Sequence, residues 1–464
     1  MDLLRKVGLA AKKQAEITAL TTATQGMGGT PEQVAAAKAL AEKVDLTQVS
    51  SQASSGIKSV ITFFSNGFFN PPGTSMLALA VVRGGIGLII LGIIVFLIWY
   101  NWNKIFPPTI KEKSTEASIT ANALNAVVSK EGFADTPTKP MKTGDALFVD
   151  IQAPTIKQAG YIGPIYDGLF DQDTGAVQAL RAGFRSFVMQ IDYLDVKKDG
   201  SKFAPPGIPT LLYRGDDGSL IGNNSADINK VATSIANTAF RPEIPNYTDP
   251  IIIYLHFVRT PSPVTSPDRY TDFLGKVAAA INPLAPNHLG MTPLGTFNRQ
   301  KQESTILTTP LKTFAGQVII LCNADTSPFR KMKRVNPAND LDFWVNMRVY
   351  LNNATDEFGV TQSPESGVIP SAVIVTADSL LSMTPKQMES FATRGKNQFV
   401  IAMTSQMKNP SSTELSTLLQ TVGVNLVPID IFSDNVDNTK ELLSQYNNKS
   451  FSPKIAGLTN TTAT

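Results

Sequence analysis

The stretch IIIYLHFVRTPSPVTSPDRYTDFLGKVAAAI (251–281) contains one complete unit of the predicted fold. It opens with a run of apolar and β-branched residues at 251–257, passes through a turn rich in proline and serine, and continues as a helical pattern at 267–281. A strand that is bounded by a turn and followed by a helix is the repeating unit of parallel sheets. The stretch therefore predicts a β-strand and a helix of an α/β fold.

The same alternation runs through most of the chain after residue 144. Strands are predicted at 146–152, 186–192, 210–214, 251–257, 317–322, 371–376, 398–404 and 425–432. Helices are predicted at 174–183, 225–237, 267–281, 384–393 and 412–421. About eight such units over roughly 300 residues favour a closed TIM (β/α)8-like barrel. A doubly wound open sheet is the alternative, but no Gly-x-Gly-x-x-Gly motif follows an early strand to support a dinucleotide-binding fold.

The composition excludes several classes of function. The formal net charge of +3 over 464 residues is too small to indicate a nucleic-acid partner. With Cys322 as the only cysteine and His256 and His288 as the only histidines, the chain can form neither an internal disulfide nor a Cys/His zinc site. We expect no metal and no cofactor. His288, in the stretch APNHLG, is predicted to be an ordinary histidine of a surface loop.

One segment predicts a transmembrane helix, at 77–103. It is uncharged from 84 to 103 and long enough to cross a hydrocarbon core of roughly 30 Å. The residues expected to contact the membrane are Leu79, Trp99, Tyr100 and Trp102. A buried core helix is the alternative, and it is disfavoured because soluble helices seldom run this long without a polar face. The segment predicts a single-pass protein with the lipid bilayer as a partner, in an orientation that the flanking charges leave open.

The remaining organisation follows from composition. Residues 1–75 are predicted to form a helical, partly irregular arm with too little apolar content for a core of its own. Within this arm, apolar residues at helical spacing predict an amphipathic helix that lies on the bilayer, packs on a partner or packs within the segment. These residues are Ile57, Val60, Ile61, Phe64 and Phe68. Residues 104–144 are predicted to be a helix and linker, and 145–464 the barrel with its C-terminal tail.

Short motifs in the barrel region resemble the X domain of phosphatidylinositol-specific phospholipase C and its bacterial relatives. That family has the patterns Pro-Gly-Ser/Thr-His-Asn/Asp-Ser, Leu-x-x-Gly-x-Arg, Glu-x-Asp and Tyr-His-Gly in this order along its first strands, followed by an apolar fourth strand that ends in Glu. The corresponding stretches here are APTIKQA (153–159), ALRAGFR (179–185), QID (190–192), YRG (213–215) and YLH (254–256). Later, TPLKTFAGQVIIL (309–321) and VNLVPIDIF (424–432) are similar to the family's fifth and last strands. The resemblance covers roughly 145–435 and implies a barrel of the PLC-like phosphodiesterase type.

The positions that carry the family's chemistry differ in this chain. The resemblance implies two histidines, a general base and a general acid, and their positions hold Lys157 and Arg214. Arginine stays protonated in proteins, and lysine serves as a base only when its surroundings lower its pKa by several units. The positions that would hold calcium in family members read Gln158, Gln190, Asp192 and His256. One carboxylate is a poor ligand set for a hard cation, so we expect a catalytically degenerate barrel without a metal.

Three functions are compatible with these residues. The first is a pseudoenzyme that serves as a structural and docking component of a membrane-containing assembly, with other structural proteins as partners. One such setting is a large-virus particle, with the chain as a minor capsid protein between the capsid and the inner membrane of the virion. The second is a module that binds an anionic lipid headgroup through Lys157, Arg214 and Asp192. The third is an active phosphodiesterase with Lys157 as an unusual base.

A structural interpretation of the two cations competes with all three. Lys157 and Arg214 would then only pair with nearby carboxylates and hold loops in place. The candidate carboxylates are Asp192, Asp195, Asp216 and Asp217.

Overall fold

The computed structural model describes residues 145–166, 168–193, 207–289, 303–331, 337–352, 360–364, 369–432, 436–447 and 449–460. The predicted N-terminal arm (1–75), transmembrane helix (77–103) and linker (104–144) lie outside these residues, and so do the predicted membrane contacts. Among the helices of the described residues, none combines the length and the apolar character that a bilayer crossing needs.

The described residues contain twelve β-strands. They are β1 Ile151–Ile156, β2 Tyr161–Ile162, β3 Leu169–Phe170, β4 Ser186–Tyr193, β5 Pro209–Leu211, β6 Ile251–Phe257, β7 Val318–Cys322, β8 Met347–Leu351, β9 Ala372–Thr376, β10 Phe399–Met403, β11 Leu426–Ile429 and β12 Ser452–Pro453. Eight of them form a closed parallel barrel in the order β1-β4-β6-β7-β8-β9-β10-β11. The barrel closes because β1 pairs with β4 on one side and with β11 on the other. The predicted TIM-like barrel is confirmed, and the open doubly wound sheet is wrong.

Helices surround this barrel. They are α1 Gly175–Arg181, α2 Ile228–Thr238, α3 Pro267–Ala280, α4 Glu303–Leu307, α5 Pro328–Lys331, α6 Leu341–Trp344, α7 Ala377–Leu381, α8 Pro385–Gly395, α9 Ser412–Ser416 and α10 Val436–Ser444. All five predicted helices are present. The last of them is α-helical only through α9 and continues as a π-helix, Thr417–Val422, before Gly423 ends it at φ 77°. A positive φ favours glycine because its lack of a side chain avoids a steric clash.

Burial on two faces explains the uninterrupted apolar run at 251–257. Ile252 and Tyr254 belong to the cluster that fills the barrel interior. Ile251, Ile253 and Leu255 belong to the cluster between the barrel and its helices. Successive side chains of a strand point to opposite faces, so both sets must be apolar where both faces are covered.

Two of the predicted strands differ from the structure. The segment at 210–214 is not a barrel strand, because β5 runs antiparallel to β4 and forms an outer arm. The first predicted strand, 146–152, begins only at Ile151, after a 3-10 turn at Phe148–Asp150. The ring of Phe148 enters the barrel interior, where it stacks on Phe399 at 4.9 Å between centroids. This turn is therefore apolar because its side chains close the floor of the barrel, at the amino ends of the strands.

The strand β8 was not predicted. Met347 and Val349 face the interior and are buried, whereas Arg348 and Tyr350 on the other face are half-buried. In the described part of the connection to β9 there is no helix to cover that outer face. The strand consequently lacks the continuous apolar run that marked the other barrel strands.

A buried arginine joins three segments at the barrel floor. Arg185 is fully buried, and its guanidinium donates to the carbonyl oxygens of Ala239 at 2.7 Å and Asp249 at 2.6 Å. It also donates to the carbonyl oxygen of Tyr247 at 3.3 Å. The carboxylate of Asp249 accepts a bond from the hydroxyl of Ser450 at 2.6 Å. Burial lowers the pKa of Arg185 to about 9, against the opposing charge of Asp249.

The prediction for His288 was wrong, because this residue is fully buried. Its Nε2 lies 2.7 Å from the carbonyl oxygen of Trp344, and its ring packs 4.8 Å from the Trp344 ring. Burial lowers the pKa of His288 to about 4, although hydrogen bonds to Trp344 and Asn346 act in the opposite direction. The folded protein therefore holds this imidazole neutral in mildly acidic solution.

This buried imidazole predicts a loss of stability in acid. An unfolded chain binds a proton at His288 near pH 6.5, whereas the folded chain does so only near pH 4. Since the unfolded state binds more protons between these values, the free energy of unfolding should fall by up to about 3 kcal/mol as the pH falls from 6.5 to 4. Urea unfolding at several pH values measures this fall in the free energy of unfolding. His288→Gln should flatten this dependence, and His256→Gln is the control; equal slopes in all three proteins would contradict the assignment.

Candidate site at the barrel mouth

The predicted site residues lie at the mouth of the barrel, where the carboxyl ends of the parallel strands meet. Lys157 and Gln158 directly follow β1, Gln190 and Asp192 lie in β4, and His256 lies in β6. Alternation along β4 places Gln190 and Asp192 on the same face as Val188, which belongs to the interior cluster. Arg214 reaches the mouth from the turn after β5. Catalytic groups of such barrels occupy this end of the strands.

Asp192 is the electrostatic centre of the mouth. It is fully buried, and one carboxylate oxygen pairs with Nε of Arg214 while the other accepts from Nε of Arg259 at 2.8 Å. The side chains of Arg214 and Arg259 are 12% and 14% exposed. A buried carboxylate needs such partners, because desolvation of an unpaired charge is costly. The predicted pairing of Arg214 with Asp192 is present in the structure.

Arg259, the second partner of this carboxylate, was not predicted from the sequence. It follows β6 by two residues, and its guanidinium lies 4.5 Å from the ring of Tyr193. It also donates to the carbonyl oxygen of Tyr193 at 2.7 Å. A charged residue just after a predicted barrel strand was the available signal, since such positions project toward the mouth.

Lys157 is almost wholly buried, at 1% exposure. Its Nζ donates to the carbonyl oxygens of Ser405 at 2.7 Å and Lys408 at 3.0 Å. These two residues belong to residues 405–409, which follow β10 and which we call the mouth segment. The ammonium therefore binds the main chain of a neighbouring loop.

Other mouth side chains bind the same segment. Gln190 donates from its amide to the side-chain oxygen of Gln406 at 2.7 Å, and the hydroxyl of Tyr213 donates to the Gln406 carbonyl at 3.1 Å. Asp216, on the turn after β5, accepts from the hydroxyl of Ser405 at 2.5 Å and from the main-chain N–H of Gln406 at 2.8 Å. The mouth segment thus joins β10 to the elements on the other side of the mouth.

The remaining predicted residues have more local partners. Gln158 accepts from the main-chain N–H of Gln190 at 2.9 Å and donates to the carbonyl oxygen of Leu212 at 2.8 Å, which ties β1 to β4 and to the segment after β5. His256 is half-buried, with Nδ1 3.0 Å from the hydroxyl of Tyr254. Asp217 accepts from the hydroxyl of Ser219 at 2.6 Å, and Asp195 lies outside the described residues.

The mouth has a poor ligand set for a cation. Among the residues that the structure describes, no group of three or more His, Cys, Asp or Glu side chains is arranged to hold a metal ion. Asp192 is the carboxylate at the predicted position, and two guanidiniums already neutralise it. Hard cations need several oxygen ligands with net negative charge.

Several solved structures are similar to this chain. No protein-family model matches the sequence, and no curated protein matches it either. Among solved structures, L. pealei PLC21 is similar at 14% identity and a TM-score of 0.44, covering 77% of this chain and 46% of that one. S. officinalis PLC21 is similar at 13% identity and a TM-score of 0.43, covering 97% of this chain and 57% of that one.

A bacterial structure is also similar. It is the calcium-dependent phosphoinositol-specific phospholipase C from Pseudomonas sp, at 10% identity and a TM-score of 0.37, covering 69% of this chain and 99% of that one. The present chain spans about half the length of the two PLC21 structures.

Proposed function

We propose that this barrel is a non-catalytic docking body and structural component of a membrane-containing assembly. The observation that supports the proposal is the state of the polar side chains at the mouth, the place where such barrels carry out chemistry. Asp192 is bound between two arginines, and Lys157 donates to two main-chain carbonyls. These groups are engaged in holding loops together, as a structural role requires.

The chemistry of the two cations supports the same proposal. A general base must offer a lone pair, and a guanidinium has none to offer because it stays protonated. Nζ of Lys157 donates to two main-chain carbonyl oxygens, and such acceptors favour the charged ammonium over the neutral amine that a general base requires. In the family that the motifs resemble, both positions are histidines, which exchange protons readily near neutral pH.

The membrane part of the proposal rests on the predicted span at 77–103. That span would tether the barrel to a bilayer, with other structural proteins of the assembly as its partners. A large-virus particle, with a capsid over an inner membrane, is one such assembly.

Cross-linking with mass spectrometry on the protein in its native membrane tests this proposal. We expect reproducible cross-links to one abundant protein at fixed stoichiometry, because a structural component contacts the same neighbour in every copy. The exposed lysines of the barrel, such as Lys386 and Lys408, supply reactive groups. Scattered cross-links without a recurring partner would contradict a docking role.

A vesicle assay separates docking from headgroup binding. We expect Lys157→Ala with Arg214→Ala to leave binding to anionic vesicles at physiological salt unchanged, since both side chains are engaged within the mouth. The matched control is Lys386→Ala with Arg394→Ala on the exposed face of α8. Neutral vesicles report the contribution of the predicted span. Loss of binding in the mouth variant alone would favour headgroup recognition, and phosphoinositide turnover that Lys157→Ala abolishes would favour the enzyme.

A further inference from the structure

The mouth of the barrel is complementary to a peptide. Lys157 binds two main-chain carbonyls of the mouth segment, and Tyr213 binds a third. Asp216 binds a serine hydroxyl together with the next main-chain N–H. Gln190 binds the side-chain amide of that same next residue, Gln406. The side chains thus recognise both the backbone and the side chains of a Ser-Gln turn.

This set of groups suits a peptide better than an anion. Arg214 and Arg259 share Asp192 as their counterion, which offsets much of their charge. The exposed carboxylate of Asp216 lies on the same rim and would repel a phosphate. Alternating donors and acceptors are what main-chain carbonyl and N–H groups require.

The mouth segment is anchored at its ends and held by exchangeable contacts between them. The hydroxyl of Thr404 donates to the carbonyl oxygen of Pro428 at 2.6 Å, and Asn409 exchanges two hydrogen bonds with the main chain of Asp430, at 2.6 and 2.8 Å. Between these anchors Asp216 binds the segment from the exposed rim, whereas Lys157, Gln190 and Tyr213 bind it from buried positions. A peptide that offers the same donors and acceptors can replace these bonds at small net cost, because it leaves no buried polar group unpaired.

We propose that the barrel mouth is a recognition site for a polar peptide turn, that the mouth segment occupies it within the chain, and that a Ser-Gln-containing loop of a partner protein displaces the segment. The inference rests on the proposed docking function and gives it a place and a partner chemistry. The mouth segment is then an autoinhibitory contact, which keeps the site closed until a partner with the same pattern of donors and acceptors competes for it.

A labelled synthetic peptide, TSQMKNPS, which copies residues 404–411, is the probe. The full chain in detergent is compared with a Ser405→Ala/Gln406→Gly variant, whose own segment loses its side-chain hydrogen bonds to Asp216 and Gln190 while the mouth side chains stay intact. We expect this variant to bind the peptide at least tenfold more tightly than the unaltered chain. A control peptide, TAGMKNPS, should bind at least tenfold more weakly than the probe.

A second substitution in the same background assigns the binding to the mouth. Asp216→Ala should weaken peptide binding at least tenfold, whereas Asp217→Ala, which removes the neighbouring exposed carboxylate, should not. Equal effects of the two substitutions, or no peptide binding by a variant with an unchanged circular dichroism spectrum, would overturn the inference.

If the double variant fails to fold, hydrogen exchange on the unaltered chain tests whether the probe peptide displaces the mouth segment. Saturating probe peptide should speed exchange of the main-chain N–H of Gln406, because the peptide removes its bond to Asp216. Unchanged exchange would overturn the inference. A recurring cross-linked partner together with absent peptide binding would reject the peptide site but not the docking function. The absence of a recurring partner together with absent peptide binding would reject both proposals.

Discussion

Replacing Asp192 by asparagine is expected to lower the free energy of unfolding by about 3 kcal/mol or more. The substitution keeps the volume of the side chain but removes the negative charge between Arg214 and Arg259. Two guanidiniums that are only 12% and 14% exposed would then lose the buried carboxylate that they share. Urea unfolding followed by circular dichroism, with the protein in detergent, measures the loss as a shift of the midpoint.

Two further variants make this prediction specific. Asp217→Asn removes an exposed carboxylate of the same rim and should change stability by no more than about 0.5 kcal/mol. The triple variant Asp192→Leu/Arg214→Met/Arg259→Met replaces the whole charged group by apolar side chains and should recover most of the loss. An Asp192→Asn variant as stable as the unaltered protein would contradict this prediction and would mean that the two arginines find other partners.

Replacing Arg185 by methionine is expected to cost about 3–5 kcal/mol. Methionine occupies a similar volume but donates no hydrogen bonds, so the carbonyl oxygens of Ala239, Tyr247 and Asp249 lose a buried donor. The carboxylate of Asp249 loses the nearby positive charge as well. The same unfolding measurement applies.

Arg181 offers a matched control for this prediction. It lies four residues earlier, at the end of α1, and its side chain is exposed. Arg181→Met should therefore alter stability by no more than about 0.5 kcal/mol. Similar losses for the two arginine variants would show that burial at the floor is not the source of the effect.

The sequence is sufficient to predict the barrel strands that are covered on both faces. The run at 251–257 is apolar at nearly every position because one half of its side chains fills the interior and the other half contacts helices. At β8 the outer face carries Arg348 and Tyr350, so the pattern was lost. At β5 a short apolar run belongs to an antiparallel arm, and composition alone does not distinguish such an arm from a barrel strand.

The site was predictable only in part, for a different reason. Strand order placed Lys157 and Asp192 at one end of the barrel, because parallel strands end together. Arg214 reaches the same end from the turn after the antiparallel β5. Their partners could not be predicted, since Lys157 binds carbonyl groups about 250 residues further along the chain. Every residue has a carbonyl group, so the sequence contains no signal for which ones the ammonium binds. The mouth segment therefore becomes visible only in the folded structure.

The pairing of β1 has a consequence for how the chain is made. On the ribosome β1 emerges first among the barrel strands, yet its edges are completed by β11 and by β12, where Ile151 lies opposite Pro453. A nascent chain that has reached only β10 carries an unpaired edge of β1 and an open sheet. Such edges invite pairing with other chains, and contacts between distant segments form slowly. Synthesis of this barrel thus includes a long interval in which chaperones have an unprotected strand to cover.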